Sequence, residues 1–296
     1  MSKLVTQGRE IAAVRRRVLP PHVVIGRGAI HLLMIAICIV TLFPVVWMFS
    51  TAFKGPKDVF TPTIQLVPPH PTLHNYADAF QFQPLGWWLL NSAIVAAAIT
   101  GGKLIVSVSA AYAFARFRFP ARNLLFAIVL GTLIIPYVST IVPNYVLIAK
   151  FGWINTRQGV IIPSIAFTGF NIFLLRQYMQ SLPHELFDAA RIDGANAWTM
   201  LWRITLPLVR PAVATVTILS FLSGWNLYLW PLLVLNDTKM KTLSVGIQYF
   251  AANAEGVQQW GPLMAAATLA TLPPLALYVV AQKAIVSAFV TSGVKG

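Results

Sequence analysis

Charge is what this sequence has least of. Of its 296 residues, 10% are Asp, Glu, Lys or Arg, against about 25% in an ordinary soluble domain. Hydrophobic residues make up 57% and mean hydropathy is +0.71. So little polar surface cannot cover a water-soluble globule of this size, and so much apolar sequence excludes intrinsic disorder. Acid is scarcest, with 8 Asp and Glu against 22 Lys and Arg and a net charge of +14. Between long apolar runs that excess marks cytoplasmic loops rather than a nucleic-acid partner. None of the acidic residues lies in an apolar run. This argues against the alternative of an ion-coupled secondary transporter, whose coupling needs intramembrane carboxylates. Cys38 is the single cysteine, so no intrachain disulfide forms. The pattern Gly-x-x-x-x-Gly-Lys-[Ser/Thr] is missing: Gly102-Lys103 is followed by Leu104, and Ala97 stands where the first glycine would be. With no His-Glu-x-x-His and no Ser, His and Asp cluster, no catalytic site is expected. His70 and His74 are four apart, but Pro71 lies between them and no third ligand is near. An ordinary surface loop is preferred there to a metal site, and no metal is expected.

What is present is long apolar runs. A helix crossing the hydrocarbon core needs roughly 20 mostly apolar residues, and six segments qualify, at about 29–53, 87–115, 124–149, 159–178, 209–235 and 262–286. The backbone of such runs must satisfy itself in lipid, so helices are expected. The first run is too long for a signal-peptide core and follows a basic segment, 1–28. Fifteen of the 22 Lys and Arg fall on the side of both termini and six on the other, which predicts N-in and C-in. Trp47, Trp87, Trp88, Trp153, Trp225, Trp230 and Trp260 all fall near outer span ends, where an interfacial belt is expected. The fold expected is therefore an all-α membrane protein of six transmembrane helices. The outer loops 54–86 and 236–261 read as polar connections, and Arg15-Arg16-Arg17 as an anchor on anionic lipid.

The cytoplasmic loop between spans four and five reads as two short helices joined at a glycine. Pro183 suits a first helical turn, Glu185 and Asp188 favour an N-terminus, and Asp188 pairs with Arg191 at i+3. Leu186, Ala189 and Ala190 fall on one small-residue face. Gly194 permits the left-handed stop, and Asn196 caps a second helix carrying Ala197, Leu201 and Ile204. A short helix with a flat face suits docking in another protein's groove; the alternative is a loop lying along the membrane interface.

Asp188-Ala189-Ala190, Asp193-Gly194-Ala195, Pro207-Leu208 and Pro211 resemble the EAA loop of ABC importer membrane subunits, with Asp188 where Glu is usual. Three further blocks resemble the carbohydrate importer permeases similar to the second membrane subunit of the maltose transporter. They are Ala111-Tyr-Ala-Phe-Ala-Arg-Phe-Arg-Phe-Pro120, Trp225-Asn226 with Leu229-Trp-Pro-Leu232, and the closing Ser292-Gly-Val-Lys-Gly296. The resemblance covers nearly the whole chain from about residue 28. It implies a type I importer permease of the bacterial inner membrane that forms half of a translocation pathway. The implied partners are a second homologous permease, two ATPase subunits, an extracytoplasmic sugar-binding protein and membrane lipid. ATP and Mg would act on the ATPase subunits, and this chain would bind no cofactor. The implied ATPase-coupling residues are Glu185, Asp188, Ala189, Ala190, Asp193, Gly194 and Ala195. The tail, 291–296, would reach between the ATPase subunits through Gly293, Lys295 and Gly296.

Lys103 stands mid-span, where a charge costs roughly 2.5–3.5 kcal/mol on insertion scales. It is therefore expected to face the bundle or a wet cavity, either as a counter-charge for an anionic sugar or uronate oligosaccharide, or snorkelling or bonding carbonyls near Gly101 and Gly102. Asn171, Asn226 and Tyr228 are further candidates for the substrate pathway; the bland reading of the two asparagines is a hydrogen bond at a helix contact, and of the tyrosine an interfacial ring.

Overall fold

The computed structural model describes the backbone of residues 21–61, 63–252 and 259–293, and side chains within 28–282 of those ranges. Every regular element among the described residues is helical. Contacts divide the chain into residues 1–48 and 49–296. The first unit carries most of helix α1 (Pro21–Ala52), whose side chains from Ile30 to Val46 are exposed. An uncharged stretch with no buried face, as from Ile30 to Val46, is one solvated by lipid or covered by another protein.

The second unit is organised around α3 (Leu85–Arg116), 32 residues long, or about 48 Å at 1.5 Å per residue. It is preceded by α2 (His74–Phe82) and followed by α4 (Arg122–Gly131) and α5 (Ile141–Lys150). Next come α6 (Arg157–Ala166) and α7 (Gly169–Gln180), then the short α8 (Glu185–Ile192). The chain ends with α9 (Arg210–Trp225), α10 (Leu229–Val234), α11 (Leu243–Ala252) and α12 (Trp260–Gly293). Helix α3 packs along α7 and α9.

Among the described residues, four helical stretches are long and apolar enough to cross a membrane, and a fifth arises if α6 and α7, bent by 47°, form one span. The expected third span, 124–149, is not one helix. It breaks after Gly131 into α4, a 3-10 turn at Tyr137–Thr140, and α5. Pro136 sits at that break in extended conformation, since a proline lacks the N–H a continuing helix needs. The expected fourth span, 159–178, is the bent α6–α7 pair. Two stretches expected to be polar loops contain helices: α2, which buries Asn75 and Ala79, and α11, which buries Leu243, Val245 and Phe250. Helix α11 is ten residues long, below the length that a search for spans detects.

The tryptophans depart from a simple interfacial belt. Trp88, Trp225 and Trp230 are buried, and their indole N–H groups donate to the carbonyls of Thr238 at 2.7 Å, Ala270 at 3.0 Å and Gly159 at 3.1 Å. They pin connections to the bundle, because a buried indole needs an acceptor. Trp87 and Trp260 are exposed as expected.

Polar side chains fasten connections as well. Asn91, fully buried, donates to the carbonyls of Lys239 and Lys241 and accepts from Arg157 at 2.8 and 3.0 Å. Asn75 donates to the carbonyls of Ala52 and Lys54. Lys54 itself is buried. Burial pushes its ammonium below the ordinary lysine value, and Asp58 pulls it partly back.

Candidate functional site

Two places on α3 bring chemistry-bearing residues together. The first is its C-terminal end, against the loop that joins α7 to α9.

Helix α8 begins after Pro183 and His184, so Pro183 precedes the helix rather than lying in its first turn. The expected ion pair is present, Arg191 Nη1 to Asp188 Oδ1 at 3.2 Å, with both side chains more than half exposed. At that exposure it contributes little to stability. Gly194 has φ +79°; its N–H donates to Arg191 O and that of Ala195 to Ala190 O. These two bonds make the glycine stop expected from the sequence. A Cβ on Gly194 would meet nothing of this chain within 4 Å, so this point faces outward. Asn196 caps the next helical turn, accepting from Thr199 N at 2.8 Å. Beyond it, Met200–Thr205 is a π-helical turn rather than regular α-helix.

The single face expected from Leu186, Ala189 and Ala190 is divided. Ala190 turns inward with Phe187 into a core cluster containing Ala111, Tyr112, Leu175, Met179 and Leu201. Glu185, Leu186, Asp188, Ala189, Asp193 and Gly194 are exposed, as is Ile192, at 88%. The largest apolar side chain sets the rotation of so short a helix: with Phe187 buried, i+3 follows it in and 186, 189 and 193 are presented.

Arg116, the last residue of α3, holds this arrangement. Its guanidinium lies over the Phe187 ring, 3.8 Å from the centroid. It also donates to the carbonyls of Met179 and Leu182, at the end of α7 and just beyond it. One planar cation thus joins three segments, a task that suits Arg and not Lys. Neither Arg116 nor Phe187 stood out in the sequence as a site residue, although Arg116 lies in the quoted 111–120 block.

The second place is a cavity of about 340 Å³ lined in part by Ile99, Lys103, Tyr137, Ser164, Ser223 and Leu227. Lys103 is 9% exposed. Its neighbour Gly102 allows close packing, since a Cβ there would lie 2.3 Å from Ile165 Cδ1. The Tyr137 hydroxyl is buried without a hydrogen-bond partner among the described residues. Ser164 donates back to Val160 O at 2.7 Å, so its hydroxyl proton is already committed. Tyr137, Ser164 and Ser223 carried no sequence signal, because hydroxyls are common in apolar helices.

The other candidates lie apart from this cavity. Asn171 donates to Ser220 Oγ at 3.0 Å and ties α7 to α9. Asn226 and Tyr228 are exposed at the break between α9 and α10, and Leu227 between them lines the cavity instead. Among the tail residues, Gly293 ends α12, while Lys295 and Gly296 lie outside the described residues, as does most of the basic segment 1–28. His70 and His74 face different carboxylates, Asp58 at 3.9 Å and Asp78 at 3.2 Å.

Residues 103–290 match the model of the family described as binding-protein-dependent transport system inner membrane component. The chain belongs to this family. It is an inner-membrane permease component, and the transport-permease character of its relatives agrees with a non-enzymatic subunit. The sn-glycerol-3-phosphate transport system permease protein UgpE of Pectobacterium atrosepticum is 36% identical over 268 residues, covering 88% of this chain and 95% of that protein. UgpE of Salmonella typhi is 37% identical over the same length and coverage. A solved bacterial ABC transporter involved in import of the acidic polysaccharide alginate contains a chain of the same fold. Its TM-score is 0.82 at 24% identity, over 89% of this chain and 98% of that one. A second alginate transporter structure, in complex with an alginate pentasaccharide-bound periplasmic protein, matches with a TM-score of 0.62 at 16% identity.

Proposed function

We propose that this permease is one of two homologous membrane subunits of an ATP-driven carbohydrate importer, and that its α8 loop is the contact through which ATPase subunits move it. The observation that carries the reading is the construction of that loop. Phe187 and Ala190 root α8 in the permease core, while Leu186, Ala189, Ile192 and Gly194 are exposed on its other side. A helix anchored on one face and bare on the other transmits a push only if something grips the bare face.

In this reading Glu185, Asp188, Ala189, Asp193, Gly194 and Ala195 meet the ATPase cleft, and Ala190 contributes by holding α8 in place. The tail residues Gly293, Lys295 and Gly296 reach the ATPase subunits as well. ATP with Mg binds and is hydrolysed there. Closure of the ATPase pair draws α8 with it, and Arg116 passes the displacement to α3 and α7. The bundle then opens outward toward a loaded binding protein, and hydrolysis restores the inward-facing form. This is rigid-body alternating access. Six spans with both termini in the cytoplasm are retained, the third crossing as the broken α4–α5 pair and the fourth as the bent α6–α7 pair. Domain bounds of 1–28, 29–290 and 291–296 follow from it. The relatives' cargo, glycerol 3-phosphate and an acidic polysaccharide, supports a small or oligomeric sugar-like substrate.

The test is the native mass of the tagged chain extracted in mild detergent from its own host. One related membrane subunit and two ATPase chains are expected with it, and added sugar with binding protein is expected to stimulate ATP hydrolysis. A chain that stays alone or self-associated, and that shows no crosslink to an ATPase from a cysteine at position 195 in the membrane, overturns the reading.

A further inference from the structure

Lys103 is a buried cation without a partner among the described residues. Its ammonium makes no hydrogen bond or ion pair among the described residues, whose salt bridges lie elsewhere. It cannot snorkel. It lies 18 residues from the start of α3 and 13 from its end, or roughly 27 and 20 Å at 1.5 Å per residue. A charge held there without a counter-ion is costly, and intramembrane charges characteristically serve a pathway or a partner. The cavity beside it, about 340 Å³, falls within the range of about 300–1,000 Å³ typical of small-ligand sites.

The lining carries a cation and hydroxyls but no anion. Lys103 offers three N–H donors and no acceptor. The Tyr137 hydroxyl is buried and has no partner among the described residues, and Ser223 lines the same cavity. No Asp or Glu lines the cavity. A neutral ligand would leave the ammonium unneutralised, whereas an oxyanion would satisfy it and take the hydroxyl donors as well.

We propose that this cavity is an oxyanion subsite on the transport path, in which Lys103 receives the carboxylate or phosphate ester of an acidic, sugar-sized substrate and the Tyr137 and Ser223 hydroxyls donate beside it. The proposal rests on the transport reading above, and it names the substrate class that the permease itself selects. The contact is transient. One charge-assisted site in a cavity of this size holds an acidic group on its way through without trapping it.

The experiment is saturation-transfer NMR on the assembled transporter in nanodiscs with two probe pairs, glucuronate against glucose and sn-glycerol 3-phosphate against glycerol. The expected result is a stronger signal for the acidic member of at least one pair. That preference falls about tenfold in Lys103→Met, equivalent to ~1.4 kcal/mol, and persists in Lys103→Arg. A preference confined to one pair assigns the group, carboxylate or phosphate. An acidic-to-neutral ratio within twofold of wild type in Lys103→Met overturns the proposal. Equal signals for acidic and neutral probes in wild type also overturn it. Because the readout is binding, it is separate from the importer reading, which fails instead if the wild-type assembly drives no ATP-dependent uptake of any sugar into proteoliposomes.

Discussion

The two cations of α3 that face inward, Lys103 and Arg116, have opposite surroundings. Arg116 has an aromatic face and two carbonyls, drawn from three segments, and only its buried Nε finds no acceptor among the described residues. Lys103 has a cavity and no partner among the described residues. The difference teaches how to separate structural from functional charge in an apolar bundle. Evolution can retain a charge because the fold consumes it or because something passing through does. A charge that the fold consumes identifies a joint, and one left unconsumed identifies a path.

The comparison breaks most readily at the joint. Phe187→Ala removes a buried ring and the surface under Arg116, at a cost of about 3–5 kcal/mol for a core aromatic. Hydrogen exchange across 185–192 is expected to lose its protection, and ATPase subunits are expected to be lost from the native mass spectrum. Retention of both would show that Arg116 is not part of a joint. Gly194→Val has the next effect. A β-branched residue at φ +79° carries strain of roughly 1–2 kcal/mol, while nothing within this chain clashes with it. A modest fall in melting temperature with a much larger loss of ATPase association is expected; equal losses would remove the outward-facing role of this glycine.

Arg116→Lys keeps the charge and loses the planar contact. A cation–π contact of this kind is worth about 0.5–2 kcal/mol. Sugar-stimulated ATP hydrolysis is expected to fall relative to the unstimulated rate, with no change in acidic-to-neutral preference. A double-mutant cycle with Phe187→Leu should return a coupling energy of that size, and additivity would mean that the two residues act separately. Asn171→Ala should show the smallest effect, about 1 kcal/mol for a buried hydrogen bond. The same loss is expected from Ser220→Ala, and neither should change which probe binds. A shift in preference for Asn171→Ala alone would return it to the substrate pathway.

Much of the α8 loop could be read from sequence because its determinants are local. A glycine that must adopt positive φ, an asparagine cap and an i, i+3 ion pair depend on residues a few positions apart, and Gly194, Asn196 and the Asp188–Arg191 pair are found as expected. The inward turn of Ala190 was not legible, since it depends on Phe187 finding a core built by α3 and α7. The third and fourth spans were visible as apolar segments but not as broken ones. Apolar length measures lipid compatibility, whereas continuity depends on where Pro136 and the Phe167-Thr168 bend meet their neighbours. Of the substrate candidates, Lys103 drew attention because charge is costly in an apolar run, and hydroxyls and asparagines did not separate because they are cheap there.

By itself the sequence determined that this chain is an all-helical membrane protein, in which a loop would turn at Gly194 and a lysine would need a polar setting. These follow from solvent and from local backbone chemistry, which act on each segment alone. The tertiary structure alone decided that Asn171 ties helices together, that Tyr137 and Ser223 join Lys103, and that Arg116 clamps the loop to α3. Those pairings link residues up to 120 positions apart, and their geometry depends on how three helices pack against one another.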